Sequence, residues 1–272
     1  MCARFELGFI GAGNMAEGIA RALVRSGLFA GDRLIASDPA DARRAVFEKL
    51  GATTTDDNRR VATESAALIL AVKPQAFAAV AAELRGAIGT DAPVISIMAG
   101  VSTATIATEL GEASLRVVRV MPNLPILVGA GVAALCGGKH ARAQDVALAR
   151  RIFDAGGTTV IMEDESQIDA VTAVSGSGPA YFYAFVEAIV AGGVAAGLRE
   201  ADALTLARNT CLGAARMMLE TDDPPATLRR KVTSPGGTTQ RALETMAAGG
   251  VHETIKRAVV AAAGRSRELG KG

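Results

Sequence analysis

Phe5-Glu6-Leu7-Gly8-Phe9-Ile10 runs straight into Gly11-Ala12-Gly13-Asn14-Met15-Ala16. The first six residues form a short run of strand length, and Met15, Ile19 and Leu23 then recur at helical spacing. A strand that turns through glycines directly into a helix is the opening unit of a dinucleotide-binding α/β fold. Gly11 permits the tight turn, Gly13 lets the backbone approach a pyrophosphate, and Ala16 allows close helix packing. The helix start adds unpaired N–H groups and a partial positive charge.

The pattern continues outward from this turn. Short apolar runs at Leu34–Ala36, Ala67–Val72, Val94–Met98, Leu115–Val120, Gly131–Leu135 and Thr158–Met162 read as strands. Helical stretches fall between them: Ala42, Val46 and Leu50 mark one, and others run from Pro74 to about Arg85, near Thr103–Leu110 and over Ala143–Ala155. Ala67–Val72 is apolar throughout, as expected of a strand buried on both faces. Alternating strands and helices predict a doubly wound parallel sheet. After Met162 the pattern changes. Helical periods run through Ile168–Val174, Pro179–Gly197, Ala201–Leu219, Ala226–Val232, Thr238–Ala248 and Val251–Leu269, with no further strand. The expected organisation is a Rossmann-like dinucleotide-binding domain over residues 1–163 and an all-helical substrate-binding and dimerisation domain over 164–272.

Composition narrows the function. There are 29 basic and 28 acidic residues and no long basic run, so no nucleic-acid or anionic-membrane footprint is expected. Aromatic residues make up only 4% and Trp is absent, so Ala, Gly, Val and Leu must fill the core. Cys2, Cys136 and Cys211 are widely spaced, without a CxxC or a Cys/His cluster, which predicts neither a disulfide framework nor a metal site. No charged-then-apolar leader precedes the first strand, and a cytoplasmic protein is expected. Gly178–Leu198 carries one charge, Glu187, and resembles a membrane span in length. Its glycines and alanines fit a soluble helix covered by a second subunit better. This predicts that the helical domain is a dimer interface.

Several side chains qualify for binding or chemistry. Ser37-Asp38-Pro39 ends the second strand, where a carboxylate accepts hydrogen bonds from ribose hydroxyls and favours NAD. Arg43 and Arg44 follow and are placed either for a 2′-phosphate or on a solvated helix face. Lys73 leaves the carboxyl end of a buried strand, held out of helical geometry by Pro74. Ser175-Gly176-Ser177-Gly178-Pro179-Ala180-Tyr181 joins two helices and reads as a turn that something approaches closely. Val232-Thr233-Ser234-Pro235-Gly236-Gly237-Thr238-Thr239 reads as a nest of N–H groups for a small carboxylate at a helix start. The histidines are only His140 and His252, and Gly178–Leu198 contains no Lys, His or Asp. An alcohol dehydrogenase needs a base for the hydroxyl proton; a protonated cyclic imine needs only positioning against a hydride donor. A β-hydroxyacid dehydrogenase of similar plan would want a lysine on that helix. A non-catalytic nicotinamide sensor is the alternative outside enzymes.

Taken together, Phe9–Met15, Ala71-Val72-Lys73-Pro74, Arg119-Val120-Met121-Pro122-Asn123, Ser175–Tyr181 and Val232–Thr239 resemble the pyrroline-5-carboxylate reductase family. That family reduces 1-pyrroline-5-carboxylate to L-proline with NAD(P)H. The resemblance spans nearly the whole chain, and its last two motifs are specific to the family. It implies cofactor contacts at Ile10, Gly11, Ala12, Gly13, Asn14 and Met15, at Ser37, Asp38 and Asn58, at Ala71, Val72, Lys73 and Pro74, and at Met98, Ala99 and Gly100. It implies a substrate site of Thr172, Ser175, Val232, Ser234, Gly236, Gly237, Thr238 and Thr239, with Thr239 as the catalytic partner of the imine nitrogen. It also implies an interlocked homodimer, with larger homo-oligomers such as a decamer left open. Asp38 departs from the neutral or basic residue frequent in NADPH-preferring relatives, so the resemblance leaves NADP and NAD both open.

Overall fold

The computed structural model describes residues 3–89 and 91–270. Its first part alternates strand and helix: β1 (Leu7–Ile10), α1 (Asn14–Ser26), β2 (Leu34–Ser37), α2 (Asp41–Glu48), β3 (Thr53–Thr55), α3 (Asn58–Glu64), β4 (Leu68–Leu70), α4 (Pro74–Leu84), β5 (Val94–Ser96) and α5 (Thr103–Glu109). Then come β6 (Val117–Met121), β7 (Gly131–Gly137), α6 (Ala143–Asp154) and β8 (Gly157–Ile161). The eight strands make one sheet in the order β3-β2-β1-β4-β5-β6-β7-β8. β1, β2, β4 and β5 are buried along their whole length. Leu7, Phe9 and Ile69 pack into the core on one face, while Ile10, Leu68 and Leu70 pack into the core on the other. Alternate residues of a strand point to opposite faces, so a sheet covered on both sides requires such unbroken apolar runs.

The sheet is parallel, as expected, at every strand pair but one. β6 and β7 pair antiparallel, with Arg119 opposite Cys136 and Met121 opposite Ala134. Their link is a single 3-10 turn, Leu124–Val128, whereas a parallel pair needs a crossover of about a dozen residues or more. β3 and α3 have no counterpart among the expected elements. Thr53–Thr55 is a half-buried edge strand of three hydroxyl residues, and α3 buries only Val61 and Ala62. Neither carries an apolar period long enough to detect.

The helical part comprises α7 (Ile168–Val171), a π-helical turn (Thr172–Gly176), α8 (Gly178–Ala195), α9 (Glu200–Glu220), α10 (Pro225–Lys231), α11 (Thr238–Ala248) and α12 (Val251–Leu269). By packing, the chain forms two compact units. One holds the residues up to Ser177 together with those from Ala261 on; the other is Gly178–Val260. This division falls later than the change in sequence pattern near residue 163, for identifiable reasons. Ile168 is fully buried against Ala134 and Cys136 of β7. Ser266 Oγ donates to Asp169 Oδ1 at 2.6 Å, which ties the end of α12 to α7. The Cys136 thiol is pushed up by burial and then by the nearby Glu165 and Asp164. Cys136 and Cys211 are free thiols; Cys2 lies outside the described residues.

The second unit leaves apolar surface open. α8 packs on α9, yet Phe182 is 60% and Tyr183 58% exposed. An apolar groove of about 460 Å³ between these helices is lined by Phe182, Phe185, Ile189, Leu206, Cys211 and Met218, among others. Helical structure runs from Glu165 to Ala195, long and apolar enough to cross a membrane by length and composition alone.

Candidate active site

The glycine turn lies at the carboxyl end of β1, the position where open α/β sheets hold ligands. Gly11 has φ +94°, and a Cβ there would lie 2.9 Å from the carbonyl oxygen of Ala71. A Cβ on Gly13 would meet nothing within 4 Å, so space lies in front of it. Gly13 caps α1 without any side-chain hydrogen bond, which leaves the first-turn N–H groups open. An uncapped helix start behind a left-handed glycine suits the pyrophosphate of a dinucleotide. Ile10, Ala12 and Met98 are buried, so only their backbone is available to a cofactor. Asn14 and Lys73 are exposed, and Met15, Ala71 and Val72 half-buried. Lys73 is the residue before α4, with Pro74 in its first turn.

Both backbone polar groups of Ala12 are held by side chains. Asp38 Oδ2 accepts from Ala12 N at 3.0 Å and Oδ1 from Ala40 N at 2.9 Å. Arg43 Nε donates to Ala12 O at 2.7 Å, and its Nη2 to Glu17 Oε2 at 3.0 Å. A trans peptide is planar, so fixing the Ala12 carbonyl turns the Gly13 N–H the opposite way. Burial pushes the Glu17 carboxyl up, but the hydrogen bonds and charges of Arg21 and Arg43 together outweigh it and hold it below the usual carboxylate value. Arg44 donates to Asp38 O at 2.6 Å and also pairs with Asp41. Both arginines that sequence reasoning placed near a 2′-phosphate are therefore engaged with protein groups. The role of Glu17 escapes sequence reading, since an acidic residue in a first helical turn is unremarkable.

Ser37 and Asn58 come together. The Ser37 hydroxyl donates to Asn58 Oδ1 at 2.7 Å, and Asn58 Nδ2 to Glu83 at 2.7 Å. Ser37 is 1% exposed, so its hydroxyl serves to hold Asn58. Ala99 is exposed, whereas Gly100, at φ +75°, backs onto the chain end: its Cβ would lie 3.2 Å from Gly270 N.

The carboxylate loop is shaped by the residues expected, with a different division of labour. The left-handed position is Gly236, φ +69°, whereas Gly237 has φ −81°. Gly237 packs closely on Ser234: a Cβ would lie 2.4 Å from the Ser234 hydroxyl, which can rotate away, and 3.1 Å from its carbonyl oxygen. Two N–H groups of the supposed nest are already used. Gly236 N donates to Gln240 Oε1 at 2.8 Å, and Gly237 N to Ser234 O at 3.1 Å. The open donors are the N–H groups of Thr238 and Thr239 in the first turn of α11, which has no side-chain cap. The Thr239 hydroxyl, on a half-buried residue, makes no hydrogen bond to another described residue. Val232 and Ser234 are exposed beside it. α10 leads in with Arg229, Arg230 and Lys231 in its last turn, a positive approach suited to an anion. Gln240 was not anticipated. Its signal was present: a glutamine three residues into a helix reaches back to the N–H groups before it.

Ser175, expected in a turn, is helical, as is Thr172; the break between the two helices is a bend at Ser177. Thr172 and Ser175 lie on the π-helical turn that follows α7, closed by Ser177 N donating to Thr172 O at 2.8 Å. Thr172 Oγ1 donates to Ile168 O at 2.8 Å and Ser175 Oγ to Val171 O at 3.1 Å. Both hydroxyls spend their proton on the helix and keep lone pairs to accept from a ligand. Among the described residues no group of His, Cys, Asp and Glu is arranged to hold a metal ion.

Comparisons with known proteins cover both halves. Residues 165–269 match the family model for pyrroline-5-carboxylate reductase dimerisation, and residues 6–100 match one described as NADP oxidoreductase coenzyme F420-dependent. The pyrroline-5-carboxylate reductase of Synechocystis is 43% identical over 98% of this chain and 98% of its own. The solved structure of a pyrroline-5-carboxylate reductase from Coxiella burnetii superposes with a TM-score of 0.90 at 36% identity, covering 99% of this chain and 100% of the other. That of the Plasmodium falciparum pyrroline carboxylate reductase with NADP bound gives 0.87 at 27% identity, covering 98% of both chains.

Proposed function

The chain belongs to the pyrroline-5-carboxylate reductase family, and on that premise we infer that it reduces the C=N bond of 1-pyrroline-5-carboxylate with NAD(P)H to give L-proline, the last step of proline biosynthesis. Carrying this reading is a likeness at about 40% identity over 95% or more of both chains. Incubation of the purified protein with 1-pyrroline-5-carboxylate and each nicotinamide, followed by absorbance and by proline analysis, tests it. Matched loss of reduced nicotinamide and gain of proline is expected; nicotinamide that stays reduced rejects the reading.

We assign residues 1–163 to cofactor binding and 164–272 to substrate binding and dimerisation, a division supported by the extents of the two family-model matches. A nicotinamide cofactor, when bound, would provide the hydride that the imine carbon accepts. The open N–H groups of Thr238 and Thr239 bind the substrate carboxylate, helped by the positive end of α11 and by Arg229 and Arg230. Gln240 Oε1 holds the Gly236 N–H until the carboxylate takes it over. Thr239 Oγ accepts from the N–H of the protonated imine, and Thr172 and Ser175 offer further lone pairs. Gly11–Met15 cradle the pyrophosphate, while Asp38 and Asn58 edge the ribose. The free thiols Cys136 and Cys211 suit a reducing, cytoplasmic setting.

Asp38 sets the cofactor preference toward NADH. Two negative charges about 4 Å apart interact by roughly 4 kcal/mol at an effective dielectric of about 20. Arg43 and Arg44, each tied to an acidic partner, leave much of that uncancelled. Asp38→Ser is expected to raise the NADPH/NADH ratio of kcat/KM about tenfold, a change of ~1.4 kcal/mol. A ratio that does not move would place the carboxylate away from the ribose.

The chain is a homo-oligomer. We assign its contact to the open faces of α8 and α9, whose exposed apolar side chains exceed what a monomer ordinarily shows. Light scattering should give a dimer or a multiple of it, the decamer included, and a stable monomer at micromolar concentration would overturn this assignment.

A further inference from the structure

Arg119, Met121 and Asn123 are spaced by two, and the backbone is still extended at Asn123, with φ −130° and ψ 164°. Residues so spaced share one face of a strand. All three reach the same segment. Arg119 Nη1 lies 3.1 Å from Glu165 Oε1, and Glu165 also accepts from Thr103 N at 2.8 Å and Thr103 Oγ1 at 2.7 Å. The Met121 methyl lies under Gly176, where a Cβ would come within 2.6 Å of it. Asn123 Nδ2 donates to Ser175 O at 3.1 Å, and Asn123 Oδ1 accepts from Val132 N of β7 at 2.8 Å.

The Asn123 bond answers a deficit written in the sequence. In a helix the carbonyl of Ser175 would receive the N–H of residue 179, and residue 179 is proline, which has none. A carbonyl orphaned in this way and kept from water costs free energy unless another donor replaces the missing one. Asn123, 7% exposed, supplies that donor and braces it on the sheet through Val132. The helical stretch meanwhile widens into a π-turn at Thr172–Gly176, a form common at functional sites.

We propose that Asn123 is a positioning residue for the substrate: its carboxamide fixes the π-helical turn against β7 and so sets where Thr172 and Ser175 present their hydroxyl lone pairs. Arg119 and Met121 hold the two ends of the same segment. The substrate half of this statement rests on the reductase reading above; the clamp itself does not.

Asn123→Asp separates the two limbs, because a carboxylate still accepts from Val132 N but no longer donates to Ser175 O. In the full-length protein, amide exchange at Ser177, whose N–H closes the π-turn, should quicken at least about tenfold. KM for 1-pyrroline-5-carboxylate should rise about tenfold, with the Kd for NADPH, from nicotinamide fluorescence, within about twofold of wild type. Asn123→Ala should show the same split with a larger loss of stability. Unchanged exchange at Ser177 overturns the proposal whatever the enzyme does. Faster exchange with an unchanged KM, or KM and NADPH affinity lost in parallel, overturns the positioning role. A wild-type protein that does not turn over 1-pyrroline-5-carboxylate defeats the reductase reading instead, and the exchange result then judges the clamp alone.

Discussion

Replacing Thr239 by Ala is expected to lower kcat/KM for 1-pyrroline-5-carboxylate about 10- to 150-fold. The hydroxyl is free of other described partners, at the open start of α11. Its expected partner, the imine nitrogen, is cationic when protonated. Hydrogen bonds to charged groups contribute about 1.5–3 kcal/mol, and each ~1.36 kcal/mol is tenfold in rate. The loss should fall on the substrate alone, because the nucleotide turn at Gly11–Met15 belongs to the other compact unit. Fluorescence titration with NADPH should therefore return the wild-type Kd. Wild-type turnover in the variant would place the imine nitrogen elsewhere. Thr239→Ser, which keeps the hydroxyl, should retain most of the activity.

The second large effect is on stability. Arg116 and Asp145 form an ion pair at 3.2 Å with side chains only 6% and 3% exposed. Asp145 also accepts from Arg142 N at 2.8 Å, closing the start of α6, and Arg116 bonds the Asp91 carbonyl. Asp145→Ala strands a guanidinium in the interior and opens that helix end. Breaking a buried pair from one side costs about 3–5 kcal/mol, which in a protein of this size is a fall in Tm of roughly 6–20 °C. Replacing both partners at once, as Arg116→Met with Asp145→Leu, should cost much less than Asp145→Ala, because no buried charge is left over. Urea denaturation distinguishes the cases: a loss below about 1 kcal/mol in Asp145→Ala would mean that solvent reaches the pair.

The cofactor half of the fold was legible because each step is local. Ala67–Val72 is apolar at every position, and only a doubly covered strand needs that. The glycine turn declares its geometry through residues that alone tolerate it, and Gly11 does adopt a positive φ. The antiparallel β6–β7 pair was harder to see. A strand pattern does not encode direction, and the evidence lies in the shortness of the Leu124–Val128 link. The segment over Ser175–Pro179 was read as a turn because proline and glycines usually end helices. The structure keeps Ser175 helical and bends only at Ser177 before α8, and a distant side chain, Asn123, gives the Ser175 carbonyl the donor that Pro179 lacks. Such long-range compensation leaves no periodic trace in the sequence. Similarly, the carboxylate loop was recognised, but Gln240 and the split roles of Gly236 and Gly237 depend on backbone angles that composition does not give.

Hydride delivery to the carbon of a cyclic imine is the central step of the proposed reaction, and isotope transfer measures it directly. Nicotinamide deuterated at C4 is incubated with the wild-type protein and 1-pyrroline-5-carboxylate, and the proline formed is read by NMR. One deuterium is expected on the ring carbon that had been doubly bonded to nitrogen, proline Cδ, with Cα unlabelled. Unlabelled proline, or label on Cα, would contradict it.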